Sequence, residues 1–223
     1  MKADSNALTK GQGRARMREV RVARGGPWAW RGADFVVAAV FGIAMGVVFI
    51  AWDYFLNAPW TAVTLAFPPA GSLAMGVWLI PAVAGGLIVR RPGAALFVEI
   101  VAAGLEYLLG NPWGPGVFVS ALLQGLGVEI VLALFLWRRF GPVIAMLAGA
   151  AAATLEIVAY EWWAFYQEYS WEWKIATLAA AILSGVLIAG LGGHALVRAL
   201  ARTGALAGFP PGAEETLRRA ADE

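Results

Sequence analysis

Sixteen of the seventeen lysines and arginines fall into four clusters, and long apolar stretches separate the clusters. Lys2, Lys10, Arg14, Arg16, Arg18, Arg21, Arg24 and Arg31 precede the first stretch. Arg90 and Arg91 form the second cluster, and Arg138 and Arg139 the third. Arg198, Arg202, Arg218 and Arg219 close the chain, leaving only Lys174 apart. Short cytoplasmic loops of membrane proteins hold Lys and Arg. An out-and-back hairpin between successive clusters gives six crossings with both termini cytoplasmic. The expected fold is therefore an all-α integral membrane protein, a six-transmembrane-helix bundle in the plasma membrane. Residues 1–32 form a basic cytoplasmic segment, 33–200 the membrane domain and 201–223 a short cytoplasmic tail, expected to be partly disordered.

Composition supports this reading. The chain is 60% hydrophobic and 14% charged, against about 45–50% and about 25% in soluble domains. The N-terminal basic run is read as a topology anchor on anionic lipid rather than a nucleic-acid site. With no cysteine, disulfides, thiol catalysis and Cys-ligated metals are excluded. About thirty polar and basic residues precede the first apolar run, too many for the n-region of a cleaved signal peptide.

A crossing needs about 20 apolar residues. The predicted helices run from Asp34 to Phe55, Gly71 to Val89, Pro92 to Leu109, Val117 to Trp137, Pro142 to Phe165 and Lys174 to Leu200. Asn57 to Pro69 lies outside, and Pro81 is a candidate kink in the second helix. Gly110 to Gly116 is too rich in Gly and Pro for regular helix. Small residues recur every four positions in the first helix (Ala38, Gly42, Gly46) and the last (Gly185, Ala189, Gly193). Such stripes let helix backbones approach closely, within the bundle or against another membrane protein.

The chemistry lies in carboxylates at membrane depth. Glu99 and Glu106 share one face of the third helix, Glu129 and Gln124 lie in the fourth, and Glu156 and Glu161 in the fifth. Ionisable groups there are costly, so they face a bundle interior or a water-filled cavity and mark functional sites. Glu106 and Glu156 both lie about 21 Å above the cytoplasmic end, and with Gln124 they are expected to converge in the outer half. Glu99 and Glu129 sit lower, at about 10–15 Å, which favours a supporting role. Only Lys174 is near enough to neutralise such a cluster, so it must hold protons or await a cation. Glu161 is open between lining the pocket and facing outer water. Asp53, Glu168 and Glu172 read as solvated, and His194 as an ordinary satisfied histidine.

Tryptophans and all five tyrosines crowd the outer side. An interfacial belt accounts for most of them. Acids on interior faces add a second requirement, and together they point to an outward-open pocket for a flat or cationic organic molecule. Trp113, Tyr160 and Trp163 are candidate stacking surfaces. Asn111 shapes the Gly- and Pro-rich turn or contacts ligand.

The run Arg90-Arg91-Pro92-Gly93-Ala94-Ala95-Leu96, followed by Glu99, Glu106, Gly110-Asn111-Pro112-Trp113-Gly114 and Gln124-Gly125-Leu126-Gly127-Val128-Glu129, resembles the YkoE family. These are substrate-binding S components of energy-coupling factor (ECF) vitamin transporters. Gly76-Val77-Trp78, Ser184-Gly185, Ala189-Gly190-Leu191, Gly193 and Thr203-Gly204-Ala205-Leu206 extend the likeness over about residues 70 to 206. The basic N-terminus and the Trp-rich outer loop match less clearly.

The resemblance implies a six-helix subunit of an ABC-type importer that binds thiamine or its hydroxymethylpyrimidine precursor. It also implies partnership with a transmembrane coupling protein and two cytoplasmic ATPases, and no cofactor or metal. The ligand contacts it suggests are Glu106, Gln124, Glu156, Tyr160, Trp163, Trp113 and Asn111, with Glu99 and Glu129 behind them. Ala38, Gly42 and Gly46 fit, by type and spacing, the small residues with which such subunits meet the coupling protein.

The chain carries no GxxxxGK[ST] phosphate loop and cannot hydrolyse ATP by that route. It has no HExxH and no GxSxG. The pair Glu214-Glu215 only faintly resembles a paired-glutamate membrane protease and lies in the tail, not in a span. The alternative function is a stand-alone cation-coupled secondary transporter using the same glutamates.

Overall fold

The computed structural model describes residues 19–20, 22–23, 25–26 and 28–222. Of the first basic cluster, Lys2, Lys10, Arg14, Arg16, Arg18, Arg21 and Arg24 lie outside the described residues.

Five helices are long and apolar enough to cross a membrane: α1 (Gly32–Thr64), α2 (Pro68–Val89), α4 (Gly114–Leu134), α5 (Pro142–Ala164) and α6 (Trp171–Arg202). Between α2 and α4 stands the shorter α3 (Ala94–Leu108). A last helix, α7, covers Pro210–Asp222. The tail therefore folds as a helix where partial disorder was expected. Its Glu214 reaches Arg90 at 2.7 Å, which ties it to the bundle, while its Glu215 pairs with Arg218 and Arg219 within the helix itself.

Two of the long helices widen into a π-helical turn near one end, at Asp53–Asn57 in α1 and Ile157–Glu161 in α5. A longer π run, Gly185–Gly192, occupies the middle of α6. Each π turn adds a residue to the local ladder and re-aims the side chains around it, and such turns concentrate at functional sites.

α2 is the core helix. Leu79, Ala82, Val83, Ala84, Ile88 and Val89 are all essentially inaccessible, and α1, α3, α4, α5 and α6 pack around it. The crossing of α5 and α6 is backbone on backbone. A Cβ on Gly149 would run into Gly185, and one on Gly185 into Gly149.

The small stripe on α1 meets the same use. A Cβ on Gly42 would come within 2.9 Å of the Val98 carbonyl, and one on Gly46 within 2.7 Å of the Ala102 carbonyl. Ala38 is 1% exposed. Gly42 and Gly46 seat α1 on α3, so the stripe makes a close approach inside the bundle. Val36, Val40, Ile43 and Val47 present the outward face of α1 instead. Gly185, Ala189 and Gly193 are buried in the same way.

The two ends of the bundle differ in chemistry. At one end Arg91 and Asp34, 0% and 1% exposed, form an ion pair at 2.6 Å. Asp34 also pairs with Arg31 at 2.7 Å and accepts the Arg31 backbone N–H, fixing the first turn of α1. Arg90 adopts a left-handed φ of 57° to turn the chain from α2 into α3. At the other end Tyr54 donates to the Gly110 carbonyl at 2.5 Å. Hence α3, which starts beside Asp34 and ends beside Tyr54, runs parallel to α1 from one end of the bundle to the other.

Removing one member of a buried ion pair strands the other charge. Arg91→Ala should destabilise the protein by about 3–5 kcal/mol. Thermal unfolding in detergent would measure this, and Asp34→Ala/Arg91→Ala should lose less than the two single losses combined.

Candidate functional site

Proline lacks the N–H that a helix ladder needs, and its ring disturbs the turn before it. Pro81 sits inside α2, and the disturbed groups find partners from two other helices. The Ala82 N–H donates to Glu99 Oε2 of α3 at 2.6 Å. With its amide oriented so that nitrogen faces acceptors, Gln124 of α4 donates to Glu99 Oε1 at 3.0 Å and to the Trp78 carbonyl at 3.3 Å. Trp78 is the residue whose carbonyl an unbroken helix would pair with Ala82. Glu99 and Gln124 thus bind α2, α3 and α4 into one knot.

Above this knot opens a cavity of about 410 Å³, within the range of small-ligand sites, about 300–1,000 Å³. Its floor is Glu99 and Gln124, and its walls carry Glu106, Glu156 and Glu161. Trp78, Trp113 and Tyr160 supply aromatic surface, with Tyr166 and Tyr169, which stack at 4.9 Å, near the mouth. Thr61 and Thr64 of α1 and the Pro68–Ala74 turn of α2 close one side, joined where Trp60 Nε1 donates to the Gly71 carbonyl at 3.0 Å.

The acids find few partners. Glu106 and Glu156 are 2% and 1% exposed, and Glu106 Oε1 and Glu156 Oε2 have no hydrogen-bond donor. Ser120 and Gln124 stand beside Glu156. Asp53, at the π turn of α1, lies against Glu106, Trp78 and Trp113. It is 5% exposed and neither of its oxygens has a donor. Among the described residues, none of these acids forms an ion pair. Lys174 is buried, but its ammonium lies over the rings of Trp163 and Trp171, at 5.5 and 5.2 Å. Outside the spanning helices, burial and then the neighbouring Glu161 carboxyl push the Tyr166 phenol above its ordinary range, so it stays a neutral donor.

Six of the nine residues expected at the site line this cavity: Glu99, Glu106, Trp113, Gln124, Glu156 and Tyr160. Three do not. Glu129 Oε1 accepts the Ala95 N–H at 2.9 Å and caps the first turn of α3. Asn111 Oδ1 accepts the Trp113 N–H at 2.7 Å and shapes the turn. Trp163 donates to the Val158 carbonyl and is 58% exposed.

Asp53 was expected in solvent. α1 continues past it to Thr64, so it is enclosed instead. Its place at the end of the apolar run hid this, and the polar continuation Asn57-Thr61-Thr64, one residue per turn, is the signal that reveals it. Glu168 and Glu172 are exposed, as expected. His194 lines a second cavity, of about 290 Å³, at the Arg90 end.

Residues 33–155 match a family model described as "ABC-type cobalt transport system, permease component". The chain is 35% identical over 191 residues to YkoE of Bacillus subtilis (strain 168), whose proposed role is as an HMP/thiamine permease protein. The match covers 86% of this chain and 94% of that one. A crystal structure of an S component of an ECF transporter superposes with a TM-score of 0.80 at 34% identity, covering 87% of this chain and 97% of that one. Cobalt belongs to the description of the family model. Among the described residues no cluster of three or more His, Cys, Asp or Glu side chains could hold a metal ion.

Glu99→Ala removes the acceptor from Ala82 and Gln124 together, leaving buried donors unmet at about 1–3 kcal/mol each. Glu99→Gln keeps an acceptor oxygen. The alanine variant should therefore melt well below the glutamine variant in detergent, while Glu129→Gln, with its own acceptor retained, should melt near the parent.

Proposed function

Since the chain belongs to the YkoE family of ECF-transporter S components, we propose that it captures thiamine or its hydroxymethylpyrimidine precursor from outside the cell. As an S component it is a non-catalytic, substrate-binding, multi-pass integral membrane protein. The observation that carries the substrate reading is a cavity of buried acids with aromatic walls and no basic partner among its described neighbours.

Thiamine joins an aminopyrimidine to a permanently cationic thiazolium. Glu106 or Glu156 faces the positive ring, where charge and desolvation favour a cation over a neutral guest. Gln124 and the remaining carboxyl hydrogen-bond the aminopyrimidine. Trp113 and Tyr160 offer ring faces.

Six crossings with both termini cytoplasmic follow if α3 is counted as a span. It links the arginine end to the Gly110 end as α1 does, and only then do all four basic clusters share a side. Residues 1–32 and 201–223 flank this membrane domain on the cytoplasmic side. Membership of the S components points to a transmembrane coupling protein and two ATPases as its partners, and they would supply the ATP hydrolysis that this chain, without a phosphate loop, does not.

The experiment is ligand binding to purified protein by tryptophan quenching, comparing thiamine, hydroxymethylpyrimidine and riboflavin. Thiamine or the pyrimidine should quench and riboflavin should not. Glu106→Gln should weaken thiamine at least tenfold, about 1.4 kcal/mol. Unchanged affinity in that variant rejects Glu106 as the charge partner. Uptake in cells lacking the coupling protein and ATPases would favour a stand-alone cation-coupled carrier.

A further inference from the structure

We infer that the second cavity, at the Arg90 end of the bundle, is a binding site for the headgroup of an anionic membrane phospholipid, whose phosphate is held by His194 and Arg198. The inference is independent of what the first cavity takes up.

The end of α2, the turn between α4 and α5, the end of α6 and the tail helix α7 enclose this space of about 290 Å³. Both acids on its wall are already answered. Glu214 takes two N–H groups of Arg90, at 2.7 and 3.1 Å, and that guanidinium also lies over the Phe140 ring at 4.5 Å. Glu215 pairs with Arg218 and Arg219. Of the charged side chains that line the cavity, three are arginines (Arg90, Arg198, Arg218) and two are glutamates, so one positive charge lacks a counterpart there.

That charge is Arg198. It stands four residues beyond His194 in α6, which puts the two on one helix face, and both line the cavity. Among the described residues neither makes a hydrogen bond or an ion pair, so the satisfied histidine expected from the sequence is not what the fold provides. A phosphate oxygen is the acceptor that both lack. A guanidinium offers it a planar fork of donors, and an imidazole adds one N–H.

Depth and lining decide where the phosphate comes from. α6 ends at Arg202, so Arg198 lies about 6 Å short of the helix end, at headgroup depth for a spanning helix. Leu87, Phe140 and Val197 give the same cavity an apolar side. A water takes about 30 Å³, so a bare phosphate ion, a few waters in size, leaves most of the space wet against those residues. A phospholipid fills it, with its phosphate on Arg198 and His194 and its glycerol and first chain carbons on the apolar side. Basic pockets between helices at the membrane surface take anionic headgroups in this way.

Native mass spectrometry of the full-length protein in a neutral detergent tests this, after incubation with phosphatidylglycerol or phosphatidylcholine. The parent should retain phosphatidylglycerol and shed phosphatidylcholine. Arg198→Ala should lower phosphatidylglycerol retention about fivefold, the worth of one arginine at an anionic headgroup, and Arg198→Ala/His194→Ala should lower it further. Arg198 is exposed, so the single variant should melt with the parent in the absence of lipid. Arg138 and Arg139 are exposed and lie outside the cavity. Arg138→Ala/Arg139→Ala removes twice the charge and should change retention less than about twofold, because only a diffuse, screened attraction is lost. Equal retention of the two lipids overturns the proposal, as does a loss in Arg138→Ala/Arg139→Ala as large as that in Arg198→Ala. Displacement of the lipid by millimolar inorganic phosphate overturns the lipid assignment in favour of a soluble phosphate.

Discussion

A carboxylate at lipid depth has to find either a donor or a hollow, and that constraint organises this molecule. No acid of the spanning helices can turn to hydrocarbon without a cost of several kcal/mol. The acids therefore set which face of each helix looks inward, and the apolar residues take what remains. Val36, Val40, Ile43 and Val47 face outward on α1 because Asp34, at its start, and Asp53, further along, cannot.

The acids divide into two kinds by what they meet. Glu99 and Glu129 reach backbone N–H groups and hold helices together. Asp53, Glu106 and Glu156 have no backbone N–H of this kind and keep oxygens without donors, as the second oxygen of Glu129 also does, and Glu106 and Glu156 line the cavity. The first kind makes the second possible. With Pro81 disturbing the ladder of α2, the Glu99–Gln124 knot steadies the floor on which the remaining acids stand. Structure and binding thus draw on one residue type, separated by whether a donor is in reach.

Much of this was legible in the sequence. The arginine clusters and apolar run lengths marked the long helices to within a few residues at most ends, and buried glutamates marked the cavity. Orientation was harder to read. In lipid both the packed face and the outer face of a helix are apolar, so Ala38, Gly42 and Gly46 announce a close contact without saying with what. The structure supplies α3 as the partner. Asp53 was missed because a helix that continues through a π turn looks, in sequence, like one that has ended. The tail helix Pro210–Asp222 was missed because its glutamates gain partners only when Arg90 and the tail's own arginines are brought near.

The π turns at Asp53–Asn57 and Ile157–Glu161 carry one more consequence. Each is a spare residue in a helix that otherwise keeps its register. Losing it restores the regular winding and swings every side chain beyond it by about 100°, while the stretch before it is untouched. Single-residue insertion or deletion at these two points therefore offers evolution a dial: it can rotate the acidic and aromatic residues of the mouth as blocks, changing what the protein accepts, with the lipid-facing and helix-packing surfaces below left as they were.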